Sequence, residues 1–209
     1  MEQMKQCRML LVVGTAGAGK SKFAKQVAGS MVGWTIVGEE DGVVQEQKVK
    51  MDVNLRAGRT VVVDRCMLTV TERDEWICSA EQAGIDRRTV WVVHVKAEQR
   101  TCLARVLVRE DHPSLGKQTD VAEIVGLLAQ QFAVLEIPTK AECHDLGGLF
   151  VLENEDARAE LRAELEVASE RKKRPKKKNI VAKTWDSDSS DDSGDEYLPV
   201  PNRQPPPSN

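Results

Sequence analysis

No apolar run near the start of the chain is long enough to form a signal-peptide core or to cross a membrane. The longest, residues 9–13, is Met-Leu-Leu-Val-Val, whereas a span needs about 20 residues. No Cys-x-x-Cys pair occurs, and Cys7, Cys66, Cys78, Cys102 and Cys143 are odd in number and widely spread. That pattern argues against a disulfide framework and a zinc site, and it fits a reducing compartment. Charge of one sign is not in excess either. Lys+Arg 30 against Asp+Glu 33 gives a net charge of −3, which excludes a chain that holds nucleic acid by wholesale basicity. No internal repeat is visible. The expectation is a soluble intracellular protein with no membrane partner.

What is present suffices for one domain and an appendage: 209 residues, 23.2 kDa, 41% hydrophobic. Charges are evenly mixed as far as residue 150 and segregate afterwards. Residues 171–178 are all cationic apart from Pro175, and residues 186–196 are rich in Asp and Glu. The reading is a domain over residues 1–170 and a disordered tail over 171–209, with a basic cluster and an acidic, serine-rich segment.

Within the domain, short Val-rich runs alternate with helix-length segments. Residues 8–13, 34–37, 60–63 and 90–95 read as buried strands, with 148–152 as a fifth. Residues 20–31 have helical composition, and 41–57 close at Gly58. Thr69-Val-Thr-Glu72 has capping-box spacing and opens a helix that turns Trp76, Ile77, Ala80 and Ala83 inward. Residues 98–110 form the next helix, which must end before Pro113. After a polar loop, Val121, Ile124, Val125, Leu128 and Phe132 recur at helical spacing, and Asn154 is placed to cap a last helix. Such alternation predicts an α/β three-layer sandwich with a mainly parallel sheet of about five strands.

Gly14-Thr15-Ala16-Gly17-Ala18-Gly19-Lys20-Ser21 matches G-x-x-x-x-G-K-[ST], between a strand and a helix. Glycines let backbone N–H groups turn around a phosphate, and the helix N-terminus adds its positive end. These eight residues and Lys22 are the expected ATP site. Lys20 would place a point charge on the β/γ oxygens, and the Ser21 hydroxyl would ligate Mg²⁺. Thr60-Val-Val-Val-Asp64 is an apolar strand ending in a carboxylate, the form expected of a Mg²⁺-water ligand. The guanine-recognition pattern N-K-x-D is absent, which weakens a switch-GTPase reading and favours a small P-loop NTPase of kinase type.

Asp64-Arg65-Cys66-Met67-Leu68, followed by Glu72-Arg73 and Trp76-Ile77, resembles the D-R-C-N-L…(E/Q)-R…W-(I/V) segment of polynucleotide-kinase-like P-loop kinases. That family includes the kinase half of polynucleotide kinase/phosphatases and kinase modules beside aprataxin-like domains. Cys102-Leu-Ala-Arg105, Arg109, His112-Pro-Ser-Leu115 and Pro138…Glu142 resemble its C-x-x-R…R…H-P-T-L…P-x-x-x-E-G-F stretch. The likeness spans about residues 8–152.

The resemblance implies an acid after the second strand as general base on a 5′-hydroxyl. The matching position falls in Glu39-Glu40-Asp41, with Glu40 chosen by its offset from Trp34. Arg105 and Arg109, four apart on one helical face, would stabilise charge on the transferring phosphate. Glu39, Asp41, Arg65, Arg73 and His112 are the weaker substrate-binding candidates. A basic patch of Arg56, Arg59, Arg65 and Arg73 would receive nucleic acid. His94, in a strand, reads as a satisfied core histidine. Two positions depart from the family pattern: Met67 stands where Asn is usual, removing an amide near the reacting phosphate, and Cys143-His144 replaces Gly-Phe.

The basic cluster reads as a nuclear-import signal, recognised by an import factor, or as a contact to phosphate backbones. Ser187, Ser189, Ser190 and Ser193 lie among aspartates, the surround preferred by acidophilic protein kinases. Three functional expectations follow. The first is an ATP- and Mg²⁺-dependent kinase acting on a 5′-hydroxyl of RNA or DNA, in the nucleus by its basic cluster at residues 171–178, with the cytoplasm as a further compartment. The second is the same chemistry on a small alcohol, nucleoside or metabolite. The third is an ATP-binding interaction module without turnover.

Overall fold

A computed structural model of the chain describes residues 7–38, 41–108, 120–153, 156–163 and 165, all within the compact unit Met1–Pro175. Five strands form one sheet: β1 (Met9–Val13), β2 (Trp34–Gly38), β3 (Thr60–Asp64), β4 (Val90–Val95) and β5 (Gly148–Leu152). Their order is β2-β3-β1-β4-β5, and every neighbouring pair is parallel. The helices are α1 (Lys20–Ser30), α2 (Val44–Arg56), α3 (Val70–Gln82), α4 (Gln99–Leu107) and α5 (Val121–Val134). Residues 156–163 are also helical.

The two faces of the sheet can be read from the side-chain alternation of β1. Leu10 and Val12 enter a core with Phe23 and Val27 of α1, Cys102 and Val106 of α4, Ile124 and Leu128 of α5, and Leu161. Met9, Leu11 and Val13 enter the opposite core with Met51 and Leu55 of α2 and Trp76, Ile77 and Ala80 of α3. All five residues of β1 are fully buried. A strand covered on both faces has no polar side to offer, which is why its sequence is continuously apolar.

The five expected strands are all present, and the helices differ at their ends for local reasons. α2 opens at Val44 rather than residue 41, because Gly42 turns the chain at φ +92° and Glu46 accepts from the Val43 N–H at 3.0 Å. α3 begins as its capping box predicts, with Thr69 Oγ1 accepting from Glu72 N and Glu72 Oε2 from Thr69 N. α4 ends at Leu107, before residue 110. On α5 only Ile124 and Leu128 are buried; Val121 and Val125 are exposed, since the helix packs along a narrow strip beside α4. Asn154 and the tail lie outside the described residues.

The chain leaves β1 towards β3 and β2 on one side, then crosses to β4 and β5 on the other. That reversal opens a crevice at the carboxyl ends of the central strands, where ligands bind in open α/β sheets. The turn after β1 sits there.

Candidate active site

Between β1 and α1 the chain makes a tight loop built on glycine. Gly14 and Gly17 have φ of +147° and +77°. A Cβ on Gly14 would lie 2.7 Å from Val95 O, and one on Gly17 would lie 2.5 Å from Cys102 O. No side chain fits at either position, so the loop packs closely as bare backbone ahead of the N-terminus of α1. The first-turn N–H groups of that helix and its positive end suit an anion. The glycines of the expected ATP site are thus the residues that shape this turn.

Lys20 begins α1 and is buried. Its Nζ donates to Thr15 O at 2.9 Å and to Cys66 Sγ at 3.4 Å. An ammonium has three N–H groups, and among the described residues two of them are engaged. Gly14 N also donates to Cys66 O at 3.2 Å. The segment after β3 is thus fastened directly to the phosphate loop. Asp64 closes β3 opposite Val12 in the sheet register, half-buried at the same end. Ser21 follows Lys20 on α1, and Lys22 is exposed one residue further on.

Met67 holds a left-handed backbone at φ +43°, the one non-glycine with positive φ among the described residues. Its carbonyl accepts from Arg73 Nη1 at 3.0 Å. Arg73 is fully buried and also donates to Glu142 through Nε at 2.6 Å and Nη2 at 3.0 Å. The expectation of Arg73 as a surface contact for substrate is corrected here: its donors are committed to the interior. Cys143, next to this pair, has its thiol pushed up to about 11 by burial and by the Glu142 charge, so it stays protonated.

The basic patch is corrected as well. Arg56 and Arg59 precede β3 and lie at the amino end of the parallel strands, away from the phosphate loop. Arg56 pairs with Asp52 and Arg59 with Asn54. Arg65 follows β3 at the loop end, where its Nη1 donates to Gln47 Oε1 at 2.6 Å. Asp41 accepts from Gly38 N at 2.9 Å and pairs with Lys50. Glu39, Glu40, Arg109 and His112 lie outside the described residues.

Arg105 reaches the loop from α4, where its Nη1 donates to Gly17 O at 3.3 Å and Ala18 O at 3.2 Å. Arg158 donates to Ala18 O at 3.4 Å, and Gln131 Oε1 accepts from Ala16 N at 2.8 Å. Sequence reasoning missed Gln131 and Arg158, which reach the loop across 115 and 140 residues and carry no local motif. Beside them an open cleft of about 620 Å³ is lined by Lys96, Glu98, Thr101, Arg105, Glu153 and Arg158. A Lys96–Glu153 ion pair of 2.7 Å lies in its wall.

His94 lies next to Val13 in the register and is buried. Its Nδ1 has no hydrogen-bond partner among the described residues, so the expectation of a satisfied core histidine holds for its burial and not for Nδ1. Burial, with the charges of Arg73 and Lys96, holds its pKa below the ordinary range. Among the described residues no three His, Cys, Asp or Glu side chains group as a metal cluster, and no helix is long and apolar enough to cross a membrane.

Residues 34–133 match the AAA domain family, a stretch that begins after the phosphate loop. No curated protein matches the chain. Among solved structures, a fungal RNA kinase is 15% identical with a TM-score of 0.60, over 77% of this chain and 85% of that one. A gluconokinase from Sinorhizobium meliloti 1021 is 16% identical with a TM-score of 0.53, over 80% and 97%. Chaetomium thermophilum Kti12, in complex with ADP-AlF3, is 14% identical with a TM-score of 0.52, over 77% and 98%. At such identities the likeness concerns the fold. The chain has the α/β fold of P-loop kinase-like proteins, with its phosphate loop at the centre of the sheet.

Proposed function

We propose that the protein is an ATP-dependent phosphotransferase that moves the γ-phosphate of ATP to a 5′-hydroxyl end of RNA or DNA. The observation that carries this reading is the junction of the phosphate loop with the segment after β3. Lys20 Nζ and Gly14 N both bond to Cys66, so the D-R-C block, the more specific part of the family resemblance, adjoins the loop that would hold the reacting phosphate. The fungal RNA kinase shares the fold and is consistent with this acceptor.

In this reading the loop amides and Lys20 hold the β- and γ-phosphates. Ser21 and Asp64 would hold Mg²⁺, which would neutralise phosphate charge when bound. The fit rests on their placement at one end of the sheet, on adjoining elements. Glu40 would orient the hydroxyl and accept its proton, while Arg105 and Arg109 add positive charge as the loose transition state develops. The tail readings stand beside this as proposals: residues 171–178 as a nuclear-import signal, and the serines among aspartates as phosphorylation sites.

A second acceptor class is favoured by one observation. Arg65 and Arg73 are occupied by Gln47 and Glu142, so the described part of the site presents no open cationic trench of the kind nucleic-acid clefts show. A small alcohol or nucleoside would need none. The test is transfer of labelled γ-phosphate from ATP·Mg²⁺ to 5′-hydroxyl RNA, 5′-hydroxyl DNA and a panel of small alcohols, with Lys20→Ala as control. Lys20-dependent labelling of oligonucleotide ends is expected. Labelling of small acceptors alone selects the second class, and ATP binding without any transfer selects a binding module.

A further inference from the structure

Gln131 is the residue on α5 that touches the phosphate loop. Its Oε1 accepts from Ala16 N at 2.8 Å, and the side chain is half-buried. The Ala16 N–H belongs to the same peptide unit as the Thr15 carbonyl. Because that unit is planar and trans, the two groups point in opposite directions from one rigid plate. The Thr15 carbonyl is the oxygen that holds Lys20 Nζ at 2.9 Å, and it also accepts from Ala18 N at 3.2 Å. One plate is therefore gripped at its N–H by α5 and presents its C=O to the lysine.

We propose that Gln131 is a positioning residue for Lys20, acting through the Thr15–Ala16 peptide. The inference rests on the nucleotide-binding reading and goes beyond it, since neither the loop motif nor the family resemblance involves α5. Three features of the chemistry support the choice of residue. The bond fixes the rotation of a peptide set between two glycines, Gly14 and Gly17, in a loop with few side chains of its own to hold it. Donation by the N–H polarises the carbonyl on the same plate and strengthens it as an acceptor. The acceptor is a neutral amide oxygen, so the loop is held without placing a negative charge beside a site built for phosphate. Glutamate would grip equally well and repel the ligand.

The experiment measures the affinity of the full chain for ATP·Mg²⁺ at low and high salt. The proteins are wild type, Lys20→Ala, Gln131→Met and Gln131→Glu, with thermal melting of each. Methionine keeps the length and helix preference of glutamine and removes the acceptor. The Met variant is expected to bind ATP about tenfold more weakly than wild type at both salts, the scale of one hydrogen bond, with a similar melting temperature. The Glu variant is expected to bind poorly at low salt and to return to within about threefold of wild type at high salt, because screening removes the repulsion and leaves the grip.

A Met variant within about twofold of wild type overturns the proposal. Equal losses for Met and Glu at high salt also overturn it, since the position then matters only for packing. If wild type does not bind ATP, or Lys20→Ala binds as well as wild type, the nucleotide reading itself fails and this inference with it. Lys20-dependent binding with an unaffected Met variant sinks the role of Gln131 alone.

Discussion

Arg73 and Glu142 are joined by two hydrogen bonds, Nε to Oε1 at 2.6 Å and Nη2 to Oε2 at 3.0 Å, across 69 residues of chain. The third contact of the same guanidinium, Nη1 to Met67 O at 3.0 Å, ties the pair to the left-handed residue two places after Arg65. The segment that fastens to the phosphate loop through Cys66 is therefore braced from below by an interior ion pair. Arginine suits the position because its planar fork meets a carboxylate with two parallel bonds and still has donors to spare.

Breaking that pair on one side leaves a charge in the interior without its partner. Glu142→Ala is expected to cost about 3–5 kcal/mol in urea unfolding, more than the loss of a surface contact would. Replacing both residues, Arg73→Met with Glu142→Leu, is expected to recover most of the loss, because two apolar side chains need no desolvation to be offset. A single variant as stable as wild type would contradict the brace.

Two glycines predict opposite outcomes. Gly17 has φ +77°, and a Cβ there would lie 2.5 Å from Cys102 O. Gly17→Ala should abolish measurable ATP binding and lower the melting temperature. Gly126 lies inside α5 with nothing within 4 Å of its would-be Cβ and no positive φ. Gly126→Ala should stabilise the protein by about 0.5–1 kcal/mol through the unfolded chain and leave binding unchanged. Denaturant melts and ATP titration on both variants read the contrast.

Acid should weaken the fold through His94. Its folded pKa is depressed by burial first and then by Arg73 and Lys96. The unfolded chain takes up a proton as pH falls through about 6.5, while the folded ring does not. The stability contributed by His94 is therefore complete above about pH 6.5 and declines below it, until the folded pKa is reached. His94→Leu is expected to flatten the dependence of urea stability between pH 7 and pH 5, about the range in which an ordinary histidine titrates. An unchanged slope would assign the acid sensitivity to other groups.

The strands were legible because each is a short Val-rich run with a clear boundary, and burial on both faces requires that composition. The start of α3 was legible for a different reason: its capping box is satisfied within four residues. Met67 shows where a local pattern carries a backbone meaning that sequence alone does not display. Asparagine, usual there in the resembling family, is one of the few residues that visit the left-handed region readily. Here a methionine holds that left-handed backbone, with its side chain buried in the core and its carbonyl held by Arg73. Arg73 itself looked like an available cation because nothing near it in sequence announces Glu142. The four-arginine patch failed because Arg56 and Arg59 precede β3 while Arg65 follows it, and in a parallel sheet those positions lie at opposite ends.

The sequence by itself determined the phosphate loop, the strand–helix alternation and the lysine at the head of α1, since glycine spacing and hydrophobic period act over a few residues. Only the tertiary structure decided what surrounds that loop. Arg105, Gln131 and Arg158 meet it from α4, α5 and the helical segment after β5, and Cys66 meets Lys20 from the end of β3. Those contacts join residues 46 to 140 apart, and they exist because five parallel strands bring their carboxyl ends to one edge. No local pattern encodes such a meeting. It is a consequence of sheet order, which is set by the burial of both faces at once.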